Sequence, residues 1–188
     1  PAEEFLRTQQ LAVASTVDAN GRVWASLLTG TSGFLQVLTE RMIQINANII
    51  YGDVLYQNLQ SDGQMGVLAI ALANRRRLRL NGKAEIQPEG QINLQIQQVF
   101  FNCPKYIQVR YLETEITESL KQPEITSSDY LTHHQQNWIA QADTFFIASS
   151  HPEIGADASH RGGYPGFVQV LHSKKLVFPD YSGNNMFQ

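Results

Sequence analysis

The chain has 188 residues, 43% hydrophobic and 16% charged, which places it among globular domains and excludes disordered and collagen-like chains. Fourteen Lys and Arg against seventeen Asp and Glu leave a net charge of −3, too mild to point to a nucleic-acid partner. The single cysteine, Cys103, excludes an internal disulfide and suits a reducing compartment, the cytoplasm by default.

The first five residues carry neither the basic start nor the apolar run of a secretory signal. They also lack an initiating Met, so trimming at the front is expected. Leu11 to Val17 and Val23 to Thr29 are β-favouring runs separated by the turn formers Asp18 to Gly21, which predicts a hairpin. Gly33 opens a second one, with Phe34 to Leu38 and Met42 to Ile45 on either side of a polar turn. Asp53 can accept the orphan amide protons of a short helix over about 53–60, whose apolar face is Val54, Leu55 and Leu59.

The longest apolar stretch, Met65 to Ala73 broken by Gly66, is far shorter than the roughly 20 residues of a membrane helix, so no membrane is expected as a partner. It reads instead as a strand buried on both faces. Arg77 to Ile86 alternates as a half-exposed strand does, and Gln91 to Phe101 alternates again after the turn Pro88 to Gly90. Six or seven antiparallel strands with one helix fit a small barrel. Residues 113–128 are polar and contain Pro123, the composition of a linker. Asp129 to Ala142 then reads as a helix capped by Ser128 or Asp129, with Tyr130, Leu131, Trp138 and Ile139 available for packing.

Beyond that helix the sequence repeats itself weakly. Ala14-Ser15 recurs as Ala148-Ser149, and Gly33-Phe34-Leu35-Gln36-Val37 as Gly166-Phe167-Val168-Gln169-Val170, at offsets of 134 and 133. Leu176 to Phe178 sits where Ile43 to Ile45 does. The expected organisation is a first barrel copy over 1–112, a linker and helix over 113–142, and the start of a second, incomplete copy over 143–188. Either more chain or another subunit is then expected to supply the rest.

Several chemistries lack their motifs. There is no Gly-rich phosphate loop, no Gly-x-Ser-x-Gly elbow and no His-Glu-x-x-His. His133, His134, His151, His160 and His172 show no ligand spacing with Cys103, so no metal site is expected. Ser149, His151 and Asp157 lie close in sequence, which is not the geometry of a triad. A buried, inert thiol is expected at Cys103, with Pro104 at a first helical position.

The densest polar and glycine cluster is Asp157 to Phe167. Arg161 offers a planar fork of donors for phosphate, Ser159 a hydroxyl and His160 an imidazole, while Gly162 and Gly163 would let main-chain amides approach a ligand. Pro179 to Phe187 reads as a loop feeding a helix start near Asn184, where free amides attract anions. Arg75, Arg77 and Arg79 share one face of their strand, opposite Arg76, Leu78 and Leu80, a pattern that suits a ligand or subunit interface.

Asn102 to Ile107 (Asn-Cys-Pro-Lys-Tyr-Ile), Arg75 to Gly82 and Ser159 to Phe167 together resemble the pyridoxamine 5′-phosphate oxidase-related FMN-binding split-barrel proteins. The likeness is closest to a subgroup with two barrel copies. It implies a mainly β fold with short helices, an antiparallel split barrel that holds FMN at the interface of a homodimer or, in a fused duplicate, an intramolecular pseudo-dimer. On that resemblance Ser159, His160, Arg161, Gly162 and Gly163 lie beside the isoalloxazine and ribityl chain. Asp180, Asn184 and Asn185 lie where the phosphate is held, and Arg76 and Arg77 reach the flavin from the other copy.

Two departures matter. The phosphate-helix start reads Asn185-Met186 where the oxidases carry Arg-Lys, which leaves Arg161 or Arg76 to supply charge. The oxidases' substrate-phosphate set of Lys, Tyr, Arg and Ser is not in recognisable order, which argues against vitamin B6 oxidation. The implied function is an FMN-dependent oxidoreductase passing hydride or electrons from a nicotinamide or other donor to an unknown acceptor. The alternative is a non-catalytic module that holds FMN or haem for storage or sensing.

Overall fold

A computed structural model describes residues 2–112 and 124–183. Asn184, Asn185 and most of the expected linker lie outside these described residues.

The first strands are β1 (Leu11–Val17) and β2 (Val23–Thr29), paired antiparallel through the Asp18 turn. β3 (Leu35–Thr39) and β4 (Met42–Ile45) form the second hairpin, followed by the two-residue β5 (Asn48–Ile49). Helix α2 (Leu55–Ser61) starts beside Asp53, whose Oδ1 accepts from the Leu55 amide at 2.8 Å and from the Ser26 hydroxyl at 2.7 Å. The N-cap position itself is Val54, without a side-chain cap bond, so Asp53 holds the first helical amide from one residue further out than expected and ties the helix to β2. β6 (Gln64–Ala71), β7 (Arg76–Ile86) and β8 (Ile92–Phe101) complete an eight-stranded sheet in the order β3-β4-β8-β7-β6-β1-β2-β5, with every neighbouring pair antiparallel.

The sheet curls around one apolar core without joining its ends, so β3 and β5 are edges and the barrel is split. Leu35, Ile43, Ile45, Val67, Leu78, Leu80 and Leu94 fill the core from the strands and Leu55 from α2. A short helix not expected from the sequence, α1 (Ala2–Arg7), buries Phe5 and Leu6 in this core and packs against the edge strand β3. Covering an edge in this way blocks strand addition.

The remaining elements are α3 (His133–Gln141) and two hairpins, β9 (Thr144–His151) with β10 (Gly155–Gly162) and β11 (Gln169–His172) with β12 (Lys175–Val177). α3 starts later than expected. Its cap is Thr132, in a reciprocal box with Gln135, in place of Ser128 or Asp129, and none of its residues is buried.

The β9–β10 hairpin lies on the outer face of β1, β2, β6 and β7. This corrects the expected half-exposed β7. Leu78 and Leu80 point into the barrel, while Arg77 and Arg79 point outward yet are 5% and 4% exposed because β10 covers them. β6 is buried on both faces for the same reason: Met65, Val67 and Ala69 face the core, and Leu68 packs outward on Ala158. The close approach needs glycine, since a Cβ at Gly66 would stand 2.4 Å from the Ala156 carbonyl oxygen.

Candidate functional site

β7 and β10 bring together charges that are far apart in sequence. Asp157, 1% exposed, accepts from Arg79 Nη1 in a short ion pair and from Asn81 Nδ2 at 3.0 Å, with the Ser159 hydroxyl at 3.5 Å. Burial lowers the Arg79 guanidinium while Asp157 pulls it back up. The pair is compensated.

Arg77 is not. Its Nη1 lies 3.3 Å from His160 Nδ1 and 3.4 Å from the His160 carbonyl oxygen, and among the described residues no carboxylate pairs with it. Burial, then the charge of Arg79, pushes it down to about 10. A guanidinium can only donate, so Nδ1 accepts and the imidazole proton sits on Nε2. Burial, then Arg77 and Arg161, pushes His160 from the usual 6.5 to about 4, which fixes it as a neutral ring. His160 Nε2, Arg77 Nε and Arg79 Nε are buried without a hydrogen-bond partner among the described residues.

Arg161 stands at the margin, half-buried, donating to the His160 carbonyl at 3.3 Å, with no carboxylate paired to it among the described residues. Gly162 and Gly163 are buried by protein. A Cβ at Gly162 would stand 2.1 Å from the Tyr106 carbonyl oxygen, one at Gly163 2.6 Å from the Phe167 ring, and the Gly163 amide donates to the Asp143 carbonyl. Their role here is close backbone packing.

The segment after β8 joins the two halves of the expected ligand site. Gln108 donates to the Gly163 carbonyl at 3.2 Å, while the Tyr106 ring stacks on Tyr181 at 5.0 Å and its hydroxyl donates to the Ser182 carbonyl at 2.9 Å. The Lys105 side chain lies along Gly183, with its ammonium 3.5 Å from where a Cβ there would be. Tyr106 holds a φ of +66°, a conformation that costs an L-residue energy and is maintained by these contacts. Lys105 and Tyr106 thus meet the 181–183 backbone while Gln108 reaches Gly163, two residues beyond Arg161, and Asp180 is exposed.

Arg76 lies elsewhere, its guanidinium 5.1 Å from the Phe5 ring and 5.3 Å from the Phe101 ring, an exposed cation that clamps α1 to β8. Cys103 is exposed, which corrects the expected buried thiol, and Pro104 opens a turn in place of a helix. Asp157 is bound to Arg79 while His151 sits exposed at the end of β9, so no triad forms with Ser149. Asn81, Lys105 and Gln108 were not among the expected ligand residues, and Arg79 and Asp157, which were expected only as part of the Arg face and of the polar cluster, pair with each other. A carboxylate inside a strand was the available signal for Asp157.

An open cleft of about 810 Å³ lies away from this cluster, between residues 126–132 and Ser173, Lys174 and Leu176. Asp129 and Lys174 in its lining pair with each other. Among the described residues, no three His, Cys, Asp or Glu side chains gather to hold a metal, and no helix is long and apolar enough to cross a membrane.

Three donors at β7 and β10, two guanidinium Nε groups and one imidazole N–H, are buried without a hydrogen-bond partner among the described residues. Together with Arg161 and Lys105 they suit a ligand rich in acceptors and negative charge. A flavin mononucleotide has such atoms in its phosphate and its ring carbonyls and nitrogens, so the donor set fits that group.

The family described as pyridoxamine 5′-phosphate oxidase matches residues 2–110. Among solved structures, HupZ of Group A Streptococcus is 19% identical with a TM-score of 0.43, covering 53% of this chain and 89% of its own. HutZ of Vibrio cholerae, described as a heme storage protein, is 18% identical with a TM-score of 0.39, covering 53% and 90%. A Clostridium acetobutylicum protein of the pyridoxinephosphate oxidase family is 11% identical with a TM-score of 0.38, covering 53% and 84%. No curated protein matches the chain.

Proposed function

Because this chain belongs to the pyridoxamine 5′-phosphate oxidase family, we propose that it binds FMN non-covalently at the margin where β10 packs on β7, beside Arg161, and acts as a flavin-dependent oxidoreductase. One observation carries the reading: a buried guanidinium, Arg77, has no counter-charge among the described residues, beside a second unpaired guanidinium, Arg161. A lone buried charge costs several kcal/mol, which an anionic ligand would offset.

The bound flavin would supply hydride and electron transfer. The chain's share is binding and electrostatics. Arg161 and Lys105 attract the phosphoryl group, Arg77 holds His160 as an Nε2–H donor, and the β9–β10 hairpin keeps water from the guanidinium row. A nicotinamide is the proposed donor. The exposed, unpaired Cys103 suits the reducing cytoplasm.

A second reading, a module that holds FMN or haem without turning it over, is favoured by the fact that Asp157 and His160 are committed to Arg79 and Arg77. Neither is free for proton transfer. The two readings separate in one cuvette under nitrogen, where protein loaded with FMN receives NADH or NADPH. Bleaching of the flavin band faster than in free FMN supports the oxidoreductase. A band that persists with either nucleotide supports the module, and a haem-type Soret band in the purified protein overturns the FMN assignment.

A further inference from the structure

The hairpins β9–β10 and β11–β12 repeat the first two hairpins in their details. The Gly30 amide donates to the Gln10 carbonyl at 3.2 Å and the Gly163 amide to the Asp143 carbonyl at 3.0 Å, each pair shifted by 133 residues. The Phe34 amide donates to Thr31 and the Phe167 amide to Tyr164, at 3.0 and 2.9 Å. Gly33 and Gly166 hold φ of 95° and 89°. Leu11 faces Thr29 as Thr144 faces Gly162, and the β3–β4 ladder slips between Val37 and Thr39 as the β11–β12 ladder slips between Val170 and His172. A bulge at the same place is a detail that hairpins of merely similar composition have no reason to share. The register also places Ser15 opposite Ala148 in the repeat, one residue from the match that the Ala-Ser pairs suggest.

The two units face each other through equivalent parts. Val13 and its counterpart Phe146 lie in one apolar cluster, β1 touches β10 and β2 touches β9, and the Ser15 hydroxyl donates to the Ser149 carbonyl at 3.2 Å. Contacts between like elements, with cross-contacts that occur in both directions, are the signature of an isologous, two-fold interface.

We propose that residues 144–178 are an internal copy of residues 11–45, docked on it by an approximate two-fold rotation within one chain, so that the polar site of β7 and β10 is composite and occurs once. At the rotation-related positions β2 carries Trp24, Leu27 and Leu28 where β10 carries Asp157, His160 and Arg161. No second set of ligand donors can form there. The count of one site rests on the FMN reading; the internal pairing does not.

Two experiments test it. With Cys103→Ser as background, Ser15→Cys combined with Ser149→Cys should oxidise to a disulfide within the monomer at every protein concentration. Disulfide-linked dimers, or no cross-link, overturn the internal pairing. On the unmodified protein, amides of 155–162 should be protected from hydrogen exchange equally in dilute and concentrated samples. Protection that appears only with dimerisation places the interface between molecules and overturns the proposal. FMN titration should then end at one per chain. An end point of two overturns the single site, while no binding at all overturns the FMN reading and the site count with it, leaving the cross-link to decide the pairing.

Discussion

Arg77 and His160, 83 residues apart in sequence, meet inside the protein with Nη1 3.3 Å from Nδ1. The contact joins the outer face of the barrel to the second hairpin unit. Burial, and after it the charge of Arg77, keeps the imidazole neutral, and the neutral imidazole gives the guanidinium an acceptor without cancelling its charge.

A pH dependence follows from His160. Its folded value is about 4, against the usual 6.5. Between those values the unfolded chain binds one more proton than the native protein does. The stability tied to neutral His160 is present above pH 6.5 and falls by about 1.4 kcal/mol per pH unit as acid is added, levelling off below pH 4. Urea midpoints of the protein and of His160→Gln across this range should diverge in slope by that amount. Parallel slopes would show that the ring titrates normally.

Asp157 tests the buried charge row. Asp157→Ala strands Arg79 without its counter-ion and should cost about 3–5 kcal/mol in urea unfolding. Replacing both partners by apolar residues, Arg79→Met with Asp157→Leu, should recover much of that loss, because no buried charge is left behind. A loss below about 1 kcal/mol for the single change would mean that water reaches the pair.

Gly66 tests the docking of β10. A methyl group there would stand 2.4 Å from the Ala156 carbonyl oxygen and 2.6 Å from the Asp157 Cα, both backbone atoms that cannot swing aside. Gly66→Ala should cost about 1–3 kcal/mol by overpacking. It should also speed exchange of the β10 amides more than those of β8, which lies outside the contact. Uniform acceleration across both strands would contradict a local wedge between the two units.

Much of the fold is legible in the sequence because hairpins announce themselves locally. Asp18 to Gly21 and Pro88 to Gly90 mark turns, and the doubly buried β6 reads as an unbroken apolar run. α1 escapes because six residues carry little periodicity and its two buried side chains, Phe5 and Leu6, acquire meaning only against β3. β7 misleads for a related reason: alternation of Arg with Leu reports chemistry, and whether the Arg face meets water depends on a hairpin 78 residues further on. At the site, the sequence points to the Ser159 to Gly163 cluster and to Arg77, which the structure brings to one place apart from Arg76. It does not reveal that Gly162 and Gly163 make room for Tyr106 and Phe167, or that Asp157 anchors the row, since both facts are contacts between distant strands.

The account turns on an anion-seeking site at the margin of β10, and the most direct measurement is FMN affinity before and after charge reversal at Arg161. That side chain is half-buried and among the described residues bonds only the neighbouring His160 carbonyl, so Arg161→Glu should leave the urea midpoint close to that of the parent protein. FMN added to the parent protein should give a saturable change in flavin fluorescence, and Arg161→Glu should weaken binding at least tenfold, the factor that corresponds to about 1.4 kcal/mol. Equal affinity in the two proteins, or no saturable binding to the parent, would contradict the account.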